Sequence, residues 1–522
     1  MRKFISVLSL SLCLSVYAFG SITFAESFND TLMKAENGDV KAQYDLGGKY
    51  YTGDGVERNY EEALKWLIKA AEHGHASAQY NVGYMYQFGY GVEKNYEEAA
   101  KWYRKSAEQN HDKAQNRLGL LYQHGYGVKQ DYEEAAEWYR KSAFQGNAYG
   151  QYNLGFLYYH GYGIPRDYEE AAKWLRKSAE QGYARAENSL GYMYEHGLGI
   201  KQSHSEAFKW YMKAAKHGNS AGQYNLGLMY QNGTDKNYAE ALKWFKLAAE
   251  DGVPEAQYKV GYMYENGYGI QKDYDEAFKW YQKAAKDGYT KAQWKLGVMY
   301  CRGEGTKKSY SHALKYFRMS AEKGNSDAQT AMGIMYFNGF GVKKNYAEAV
   351  KWYTKAVKQN DDNAQFNLGL MYYFGEGTEK NYVEAFKLCR KSAENGNDDA
   401  MCFLGIMYYL GSGVGMNYEE AAKWFRKSAE KGNTNAESCM GIIYYFGRGV
   451  PKDYDESVKW LRKAAEKGQN EAQNNLGYMY QHGYGVPKDY KEVIKWYTLA
   501  AEQGNKDAQK TLKKMGRSWK SE

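Results

Sequence analysis

The sequence predicts an all-α fold, a right-handed α/α superhelix of about 13 stacked helix-turn-helix repeats. A segment resembling residues 472–504 recurs thirteen times, at intervals of 36 residues with a single interval of 34. Each copy contains two stretches whose apolar residues have helical spacing. A fixed period of this length indicates a solenoid, in which each repeat packs on its neighbours. The copies begin at Ala42, Ala78, Ala114, Gly150, Ala186, Gly222, Ala256, Ala292, Ala328, Ala364, Ala400, Ala436 and Ala472.

The first helix of each repeat, helix A, is predicted from apolar residues such as Ala78, Val82 and Met85. A glycine in its middle, Gly83 in this copy, recurs in all thirteen. Because a glycine inside a helix costs about 1 kcal/mol relative to alanine, we expect a neighbouring helix to come close there. A second recurring glycine, Gly89 in this copy, suits the left-handed residue that ends a helix.

The second helix, helix B, has a predicted N-cap that is Asn, Asp or Ser in every copy. Glutamate follows three residues later in every copy except one, where His312 takes its place. This pattern is a capping box, in which the two side chains satisfy free backbone N–H groups at the helix start. Helix B is predicted to end at a glycine, or at Asn110 and Asn360 in two copies. Asparagine also tolerates the left-handed conformation, so both exceptions agree with this prediction.

These residues are similar to Sel1-like repeats, relatives of the tetratricopeptide repeats with a longer loop between the helices. The matching features are Leu-Gly and Met-Tyr on helix A, Gly-x-Gly-Val in the loop, and Asp/Asn-Tyr-x-Glu-Ala, Lys-Trp and Ala-Ala-Glu-x-Gly on helix B. Tetratricopeptide repeats have a 34-residue period and a Trp on helix A, whereas Trp66 and its equivalents lie on helix B here. The resemblance covers 42–507. It implies an α-solenoid that acts as an interaction scaffold, with envelope or host-interaction roles in many secreted bacterial members, and it fixes no ligand.

The two ends of the chain differ from the repeats. Arg2 and Lys3 precede an apolar run, and a small residue, Ala25, follows it, so 1–25 is predicted to be a signal peptide. The protein is therefore expected to be exported, either periplasmic or secreted. No later run reaches ~18 apolar residues, so the mature chain is expected to lack a membrane span. We predict an N-terminal capping helix in 26–41 and a C-terminal capping helix and tail in 508–522.

The variable positions on helix A suggest a binding surface. In related helix-pair solenoids helix A lines the concave face, and here its third residue is often aromatic and its fourth often Asn. Aromatic rings would supply contact area, and amides would bond a partner's backbone. The alternative is that these aromatic residues fill the interface between repeats. The candidates are Tyr80, Asn81, Tyr152, Asn153, Tyr224, Asn225, Tyr258, Trp294, Phe366 and Asn367.

Other aromatic and histidine positions are interpreted as structural. The helix B Trp residues are expected to pack in the core. The aromatic residue between the two loop glycines, Tyr126 for example, is expected to fold onto helix B rather than form an exposed ridge. His124, His160 and His196 share one position in consecutive repeats. Metal ligands must converge to about 2 Å from the ion, but packed helices lie roughly 8–10 Å apart, so no metal site is predicted.

Four cysteines follow residue 25. Cys389 lies on helix B of one repeat and Cys402 on helix A of the next, on either side of the turn at Gly396. An antiparallel hairpin would bring them together. A disulfide between them, favoured in an oxidising compartment, and free buried thiols are the two alternatives.

The chain carries no Walker loop, HExxH, GxSxG or CxxC motif. Its net charge is +8, from 70 basic and 62 acidic residues, and Lys and Glu alternate on helix B in the manner of a solvated face rather than a nucleic-acid track. We predict a monomeric, non-enzymatic scaffold or adaptor that binds a protein or peptide through helix A, with no cofactor and no nucleic acid. One alternative is a glycan or peptidoglycan binder that uses the loop aromatics. The other is a β-lactam or cell-wall hydrolase, as described for cysteine-rich Sel1-like proteins, whose paired cysteines this chain lacks.

Overall fold

The structure is a computed structural model that describes residues 27–519. These residues form 28 α-helices and no strand, so the predicted all-α class is confirmed. The predicted signal peptide lies outside the described residues. The helices are α1 Phe28–Glu36, α2 Val40–Thr52, α3 Tyr60–Glu72, α4 Ala76–Phe88, α5 Tyr96–Glu108, α6 Asp112–His124, α7 Tyr132–Phe144, α8 Ala148–His160, α9 Tyr168–Glu180, α10 Ala184–His196, α11 His204–Lys216, α12 Ser220–Asn232, α13 Tyr238–Glu250, α14 Pro254–Asn266, α15 Tyr274–Lys286, α16 Thr290–Arg302, α17 Tyr310–Glu322, α18 Ser326–Asn338, α19 Tyr346–Val357, α20 Asp362–Phe374, α21 Tyr382–Glu394, α22 Asp398–Leu410, α23 Tyr418–Glu430, α24 Thr434–Phe446, α25 Tyr454–Glu466, α26 Asn470–His482, α27 Tyr490–Glu502 and α28 Lys506–Lys514.

The even-numbered helices α2 to α26 are the thirteen A helices, and the odd-numbered helices α3 to α27 are the thirteen B helices. Two further helices, α1 and α28, lie at the ends of the array. The chain divides into two compact units, 1–256 and 257–522. Within each unit every helix packs against the next along the chain. The predicted solenoid of helix pairs is confirmed in both units.

The glycine in the middle of helix A lets helix B of the same repeat approach closely. A Cβ placed on Gly83 would lie 2.8 Å from Tyr103 Cδ1 and 3.2 Å from the Ala99 carbonyl oxygen. Tyr103 itself has no exposed surface. The close neighbour that the sequence predicted is therefore the paired helix B, whose large side chain fills the notch left by the glycine.

The helix ends agree with the prediction with two exceptions. The first is the reciprocal half of the capping box, because the Asn95 N–H donates to the Tyr86 carbonyl and Glu98 pairs with Lys101 instead. All thirteen predicted N-caps of helix B accept hydrogen bonds from backbone N–H groups in the first turn.

Asn110 and Asn360 have φ of 62° and 63°, and they are the only non-glycine residues in 27–519 with positive φ. Helix A does not always end in the left-handed conformation, however. Gly233, in the copy shortened by two residues, has φ −64° and ψ 170° because the shorter loop leaves in an extended direction.

The loop after helix A packs on the preceding repeat. A Cβ on Gly91, the second loop glycine, would lie 2.7 Å from the Glu61 amide nitrogen and closer still to the Tyr60 carbonyl. The loop backbone therefore lies directly on the N-terminus of α3. After the loop, the Asn95 N–H donates to the Tyr86 carbonyl, which fixes where the next helix B begins.

The core is a series of small clusters, each shared by neighbouring helices. Trp174 joins the apolar residues of α7 and α8, and Trp138 joins those of α5 and α6. Both indoles are 7% exposed. The predicted packing role of the helix B tryptophans is confirmed at these positions. Where the ring is half-buried, a lysine three residues later covers it, as Lys283 covers Trp280 at 3.7 Å from the ring centre.

Candidate interaction surface

The third and fourth residues of each repeat, counted from starts such as Ala78, lie on helix A where one repeat packs against the next. Asn153 Nδ2 donates to Asn116 Oδ1 at 2.8 Å, and Asn225 Nδ2 donates to Asn188 Oδ1 at 2.9 Å. In each pair the third residue of one repeat meets the fourth residue of the next. The same register joins Tyr44 to Asn81, Tyr80 to Arg117 and Tyr152 to Ser189 through side-chain hydrogen bonds. The amides of Asn153 and Asn225 are therefore already bonded within the protein, whereas Asn81 Nδ2 is buried without a hydrogen-bond partner among the described residues.

The aromatic candidates also contact neighbouring elements. Tyr80 is 8% exposed, stacks on His111 of the next repeat at 5.0 Å and touches Tyr103. The other third-position rings are half-buried. They pack as follows: Tyr152 on Tyr183, Tyr224 on Phe245, Tyr258 on Tyr281 and Tyr289, Trp294 on the α17–α18 cluster, and Phe366 on Phe403. Asn367 is half-buried. These contacts agree with the alternative that the positions fill the interface between repeats.

Further along helix A the same face becomes exposed. In α4 the rings of Tyr80, Tyr84 and Phe88 follow one another at helical spacing, and the loop residue Tyr90 closes the series. Exposure rises from 8% at Tyr80 to 44% at Phe88. We call this exposed part of the helix A face the distal surface. It comprises the seventh and eleventh residues of each repeat, which are Tyr84 and Phe88 when counted from Ala78 in the second repeat, and the aromatic residue between the two loop glycines.

The histidines at the eleventh position belong to the distal surface. His160 stacks on Tyr162 at 5.1 Å and contacts Phe156 at 4.3 Å, and His196 stacks on Tyr192 at 4.1 Å. Burial lowers the pKa of His160, with a smaller contribution from Arg166. No group of three or more His, Cys, Asp or Glu side chains converges as a metal site among residues 27–519. These imidazoles act as flat contact surfaces within aromatic groups.

The loop aromatics fold onto helix B, as the sequence predicted, and keep one face in solvent. The helix B in question belongs to the preceding repeat: Tyr126 stacks on Tyr96 at 4.9 Å, and Phe340 stacks on Tyr310 at 4.7 Å. Tyr126 is nevertheless 46% exposed. The stacking fixes the ring orientation, so the distal surface presents ordered aromatic faces rather than mobile side chains.

In the second unit the distal surface is aliphatic and aromatic over three consecutive repeats. Phe374, Leu410 and Phe446 end α20, α22 and α24 and are 56%, 58% and 55% exposed. We call these three residues the exposed apolar row. Sequence reasoning missed the row. The signal was an apolar residue at the last position of helix A in three consecutive repeats, where most other repeats carry His or Asn.

A family comparison matches the repeats one by one. The model of the Sel1 repeat matches thirteen segments, which together span most of the chain: 40–75, 76–111, 112–147, 148–183, 184–219, 220–253, 254–289, 290–325, 326–361, 362–397, 398–433, 439–469 and 470–505. The protein belongs to the Sel1 repeat family. The resemblance inferred from its motifs is confirmed.

Solved structures agree with this assignment. The chain is 32% identical to a protective antigen present in uropathogenic Escherichia coli strains, whose crystal structure displays an SLR fold. The match covers 95% of this chain and 99% of that one, with a TM-score of 0.71. A Sel1 repeat protein from Oxalobacter formigenes is also 32% identical, over 59% of this chain and 89% of its own, with a TM-score of 0.46. A search of curated proteins found no match.

A buried polar network joins each Sel1 repeat to its neighbours. Gln79 Nε2 donates to the Ala71 carbonyl at 3.0 Å, and Gln109 Nε2 donates to Gln79 Oε1 at 2.7 Å. The Gln at the second position of the repeat thus links helix A to the helix B before it and to the helix B of the same repeat. Sequence reasoning passed over this Gln, although it recurs at one position of an otherwise apolar stretch.

Two Sel1 repeats replace this amide pair with a buried glutamate and a basic partner. Glu187, 1% exposed, lies 2.8 Å from His217 Nδ1, and Glu437, 3% exposed, lies 2.7 Å from Lys467 Nζ. The acid and its partner occupy the positions of Gln79 and Gln109. A buried carboxylate needs a cation or strong donors, and the basic partner meets this need in both repeats.

Cys389 and Cys402, the pair considered for a disulfide, have different neighbours in the structure. All four described cysteines are free thiols. Cys389 lies in the notch of its own repeat, where a Cβ on Gly369 would be 2.6 Å from its sulfur. It occupies the position that Tyr103 has in the second repeat, so it faces the preceding helix A and not Cys402. The Cys402 thiol instead hydrogen-bonds to Cys439 in the following repeat.

The outer face of helix B is charged, in agreement with the sequence interpretation. Lys and Glu pair at i, i+3, as Lys101 Nζ does with Glu98 at 2.6 Å, and the lysine is 66% exposed. Such pairs contribute little to stability and keep the face hydrated. Among residues 27–519, no helix has the length and apolar character needed to cross a membrane.

Proposed function

We propose that this Sel1 repeat protein is an exported, non-enzymatic scaffold or adaptor that binds another protein or peptide through the distal surface of helix A. The observation that carries the proposal is the exposed apolar row, Phe374, Leu410 and Phe446. Each side chain is more than half exposed although it is large and apolar. Contiguous exposed apolar surface on a folded protein marks interaction sites, and aromatic residues are enriched in such interfaces.

Helix A remains the binding element, but the proposed contact residues lie further along it than Tyr80 and Asn81. Tyr80 and Asn81 are both buried, and Tyr80 stacks on His111, so a partner would have to break packing contacts to reach them. The seventh and eleventh residues follow on the same face at helical spacing. They are held by neighbouring rings, which lowers the entropy lost when a partner is bound.

A direct test compares two triple variants in pull-downs from cell-envelope extracts and host fluids. The first, Phe374→Ser/Leu410→Ser/Phe446→Ser, removes the apolar row. The matched control, Val383→Ser/Met416→Ser/Leu499→Ser, removes three exposed apolar residues that lie outside helix A in the same unit. We expect a protein enriched by wild type and by the control to be lost from the row variant, with both variants keeping the helical circular-dichroism signal. Equal enrichment by the row variant would contradict the proposal.

Export is the second part of the proposal. The predicted signal peptide supports it, as does the similarity to a protective antigen along nearly the whole chain. Mass spectrometry of the protein's N-terminus from fractionated cells tests it. We expect Glu26 as the first residue and recovery from the periplasm or the medium. Intact Met1 recovered with the cytosolic fraction would overturn this part alone.

The non-enzymatic part has its own measurement. The distal surface consists of stacked rings. Among the described residues that form it, no nucleophile is paired with a base. We expect purified protein to hydrolyse neither a chromogenic β-lactam nor isolated peptidoglycan above the rate without protein. Turnover that scales with protein concentration would move the protein to the hydrolase class.

A further inference from the structure

Cys402 and Cys439 occupy the register that joins helix A to helix A throughout the array. Cys402 is the third residue of its repeat and Cys439 the fourth residue of the next, on α22 and α24. The equivalent side chains in the first unit are the hydrogen-bonded pairs Asn116/Asn153 and Asn188/Asn225, at 2.8 and 2.9 Å. Side chains in this register therefore meet as a result of the fold itself.

The two sulfur atoms follow the same geometry. Cys402 and Cys439 lie in one cluster with Phe425 and Met440, and each thiol has the largest influence on the pKa of the other. Cys301 and Cys389 are on other helices, and Cys389 is enclosed in the notch beside Gly369. Two thiols that lie side by side with small, unbranched side chains are the arrangement from which a disulfide forms with little movement.

The two thiols differ in reactivity. The hydrogen bond from Cys402 lowers the pKa of Cys439, because it stabilises the Cys439 thiolate. The same bond raises the pKa of Cys402, and burial and the nearby carboxylates of Asp398 and Asp399 add to this. Cys402 is 5% exposed, whereas Cys439 is half-buried. Since the thiolate is the nucleophile in disulfide exchange, Cys439 is the thiol that attacks first.

We propose that Cys402 and Cys439 form a reversible disulfide that joins the A helices of the eleventh and twelfth repeats. The oxidant is a small disulfide, RSSR. The Cys439 thiolate attacks one sulfur of RSSR, the S–S bond of RSSR breaks, and one RS⁻ leaves. Cys402 then loses its proton to water and attacks Cys439 Sγ, which releases the second RS⁻. The two cysteines lose two electrons in total, and RSSR gains them and becomes two RSH after protonation.

The cross-link would act on the exposed apolar row. Leu410 and Phe446 end the two helices that the disulfide joins. A bond between residues 37 positions apart limits how far the two repeats can separate. Oxidation would therefore hold two of the three row residues at one spacing, and reduction would let the repeats move relative to each other. This consequence rests on the proposed function, whereas the disulfide itself does not.

The test is peptide mapping of the purified full-length protein after incubation in glutathione buffers from reducing to oxidising. Free thiols are blocked with iodoacetamide, the protein is digested without reductant, and peptides are identified by mass spectrometry. We expect a cross-linked peptide that contains Cys402 and Cys439 and that disappears after dithiothreitol. Cys301 and Cys389 should remain alkylated once the protein is unfolded during blocking.

Two variants separate the proposed pairing from other chemistry. Cys402→Ser should abolish the cross-link and leave glutathione bound to Cys439, because the second thiol is missing. Cys389→Ser should leave the cross-link unchanged, which controls for loss of a buried thiol. A cross-link between Cys389 and Cys402, a glutathione adduct on Cys439 of the wild type that never closes, or full alkylation of both thiols in the most oxidising buffer would each overturn the proposal.

Discussion

Pairs of polar residues, one of them buried, join helix A to helix B within a repeat. Gln79 and Gln109 bond through their amides in the second repeat, while Glu437 and Lys467 occupy the same two positions in the twelfth. Glu437 is 3% exposed, and its carboxylate lies 2.7 Å from Lys467 Nζ. A single replacement at either position would leave a buried polar group without its partner, which costs more than the bond itself is worth.

Lys467→Met tests this dependence. The variant leaves the Glu437 carboxylate buried and unpaired, so we expect a loss of about 1–3 kcal/mol in unfolding free energy. The double variant Glu437→Gln/Lys467→Gln recreates the pair seen in the second repeat and should recover most of that loss. Urea unfolding, together with amide exchange in α24 and α25, measures both. A double variant as unstable as the single one would contradict this account.

Gly91 and Gly74 illustrate two different reasons why a position requires glycine: a left-handed backbone conformation, and close approach of a neighbouring backbone. Both have positive φ, 68° and 84°, but an added Cβ meets nothing within 4 Å at Gly74 and meets the backbone of Tyr60 and Glu61 at Gly91. We expect Gly74→Ala to cost about 1–2 kcal/mol, the penalty for a left-handed alanine. Gly91→Ala should cost clearly more, because the loop must move away from α3. Equal losses in urea unfolding would show that the close approach is unimportant.

The helix is the scale at which the sequence was most informative. The capping residues and end glycines are local signals, so both ends of helix B could be predicted, including Asn110 and Asn360. Gly233 departed from its prediction because two residues are missing from its loop. The neighbours of Tyr80 and Cys402 could not be predicted, since they depend on how one repeat is placed on the next. The apolar residues of the row can likewise be read in the sequence, but their exposure depends on how the repeats pack.

Asp131 tests the contribution of a single cap. Its carboxylate accepts from the backbone N–H groups of Glu133 and Glu134 at the start of α7. Asp131→Ala removes both bonds and should cost about 1 kcal/mol, with faster amide exchange in the first turn of α7. Asp131→Asn keeps an acceptor at the same place and should cost much less. Unchanged exchange in the alanine variant would show that solvent replaces the cap at no cost.

At the scale of the whole molecule, a repeated structure becomes specific through the residues that differ between repeats. Most positions are used for packing helix against helix, so the variable, exposed positions are those available to a partner. In the second unit these include the apolar row, and the Cys402/Cys439 pair lies on two of the same helices. We therefore propose that recognition by this solenoid depends on a few side chains at the ends of the A helices.

The measurement that tests the central claim most directly is the affinity of the captured partner for three forms of the protein. Wild type, the row variant Phe374→Ser/Leu410→Ser/Phe446→Ser and the control Val383→Ser/Met416→Ser/Leu499→Ser are titrated at one salt concentration. Loss of three central apolar contacts should weaken binding of the row variant by at least about tenfold, and the control should bind as wild type does. A row variant that binds with wild-type affinity would show that the partner contacts another surface.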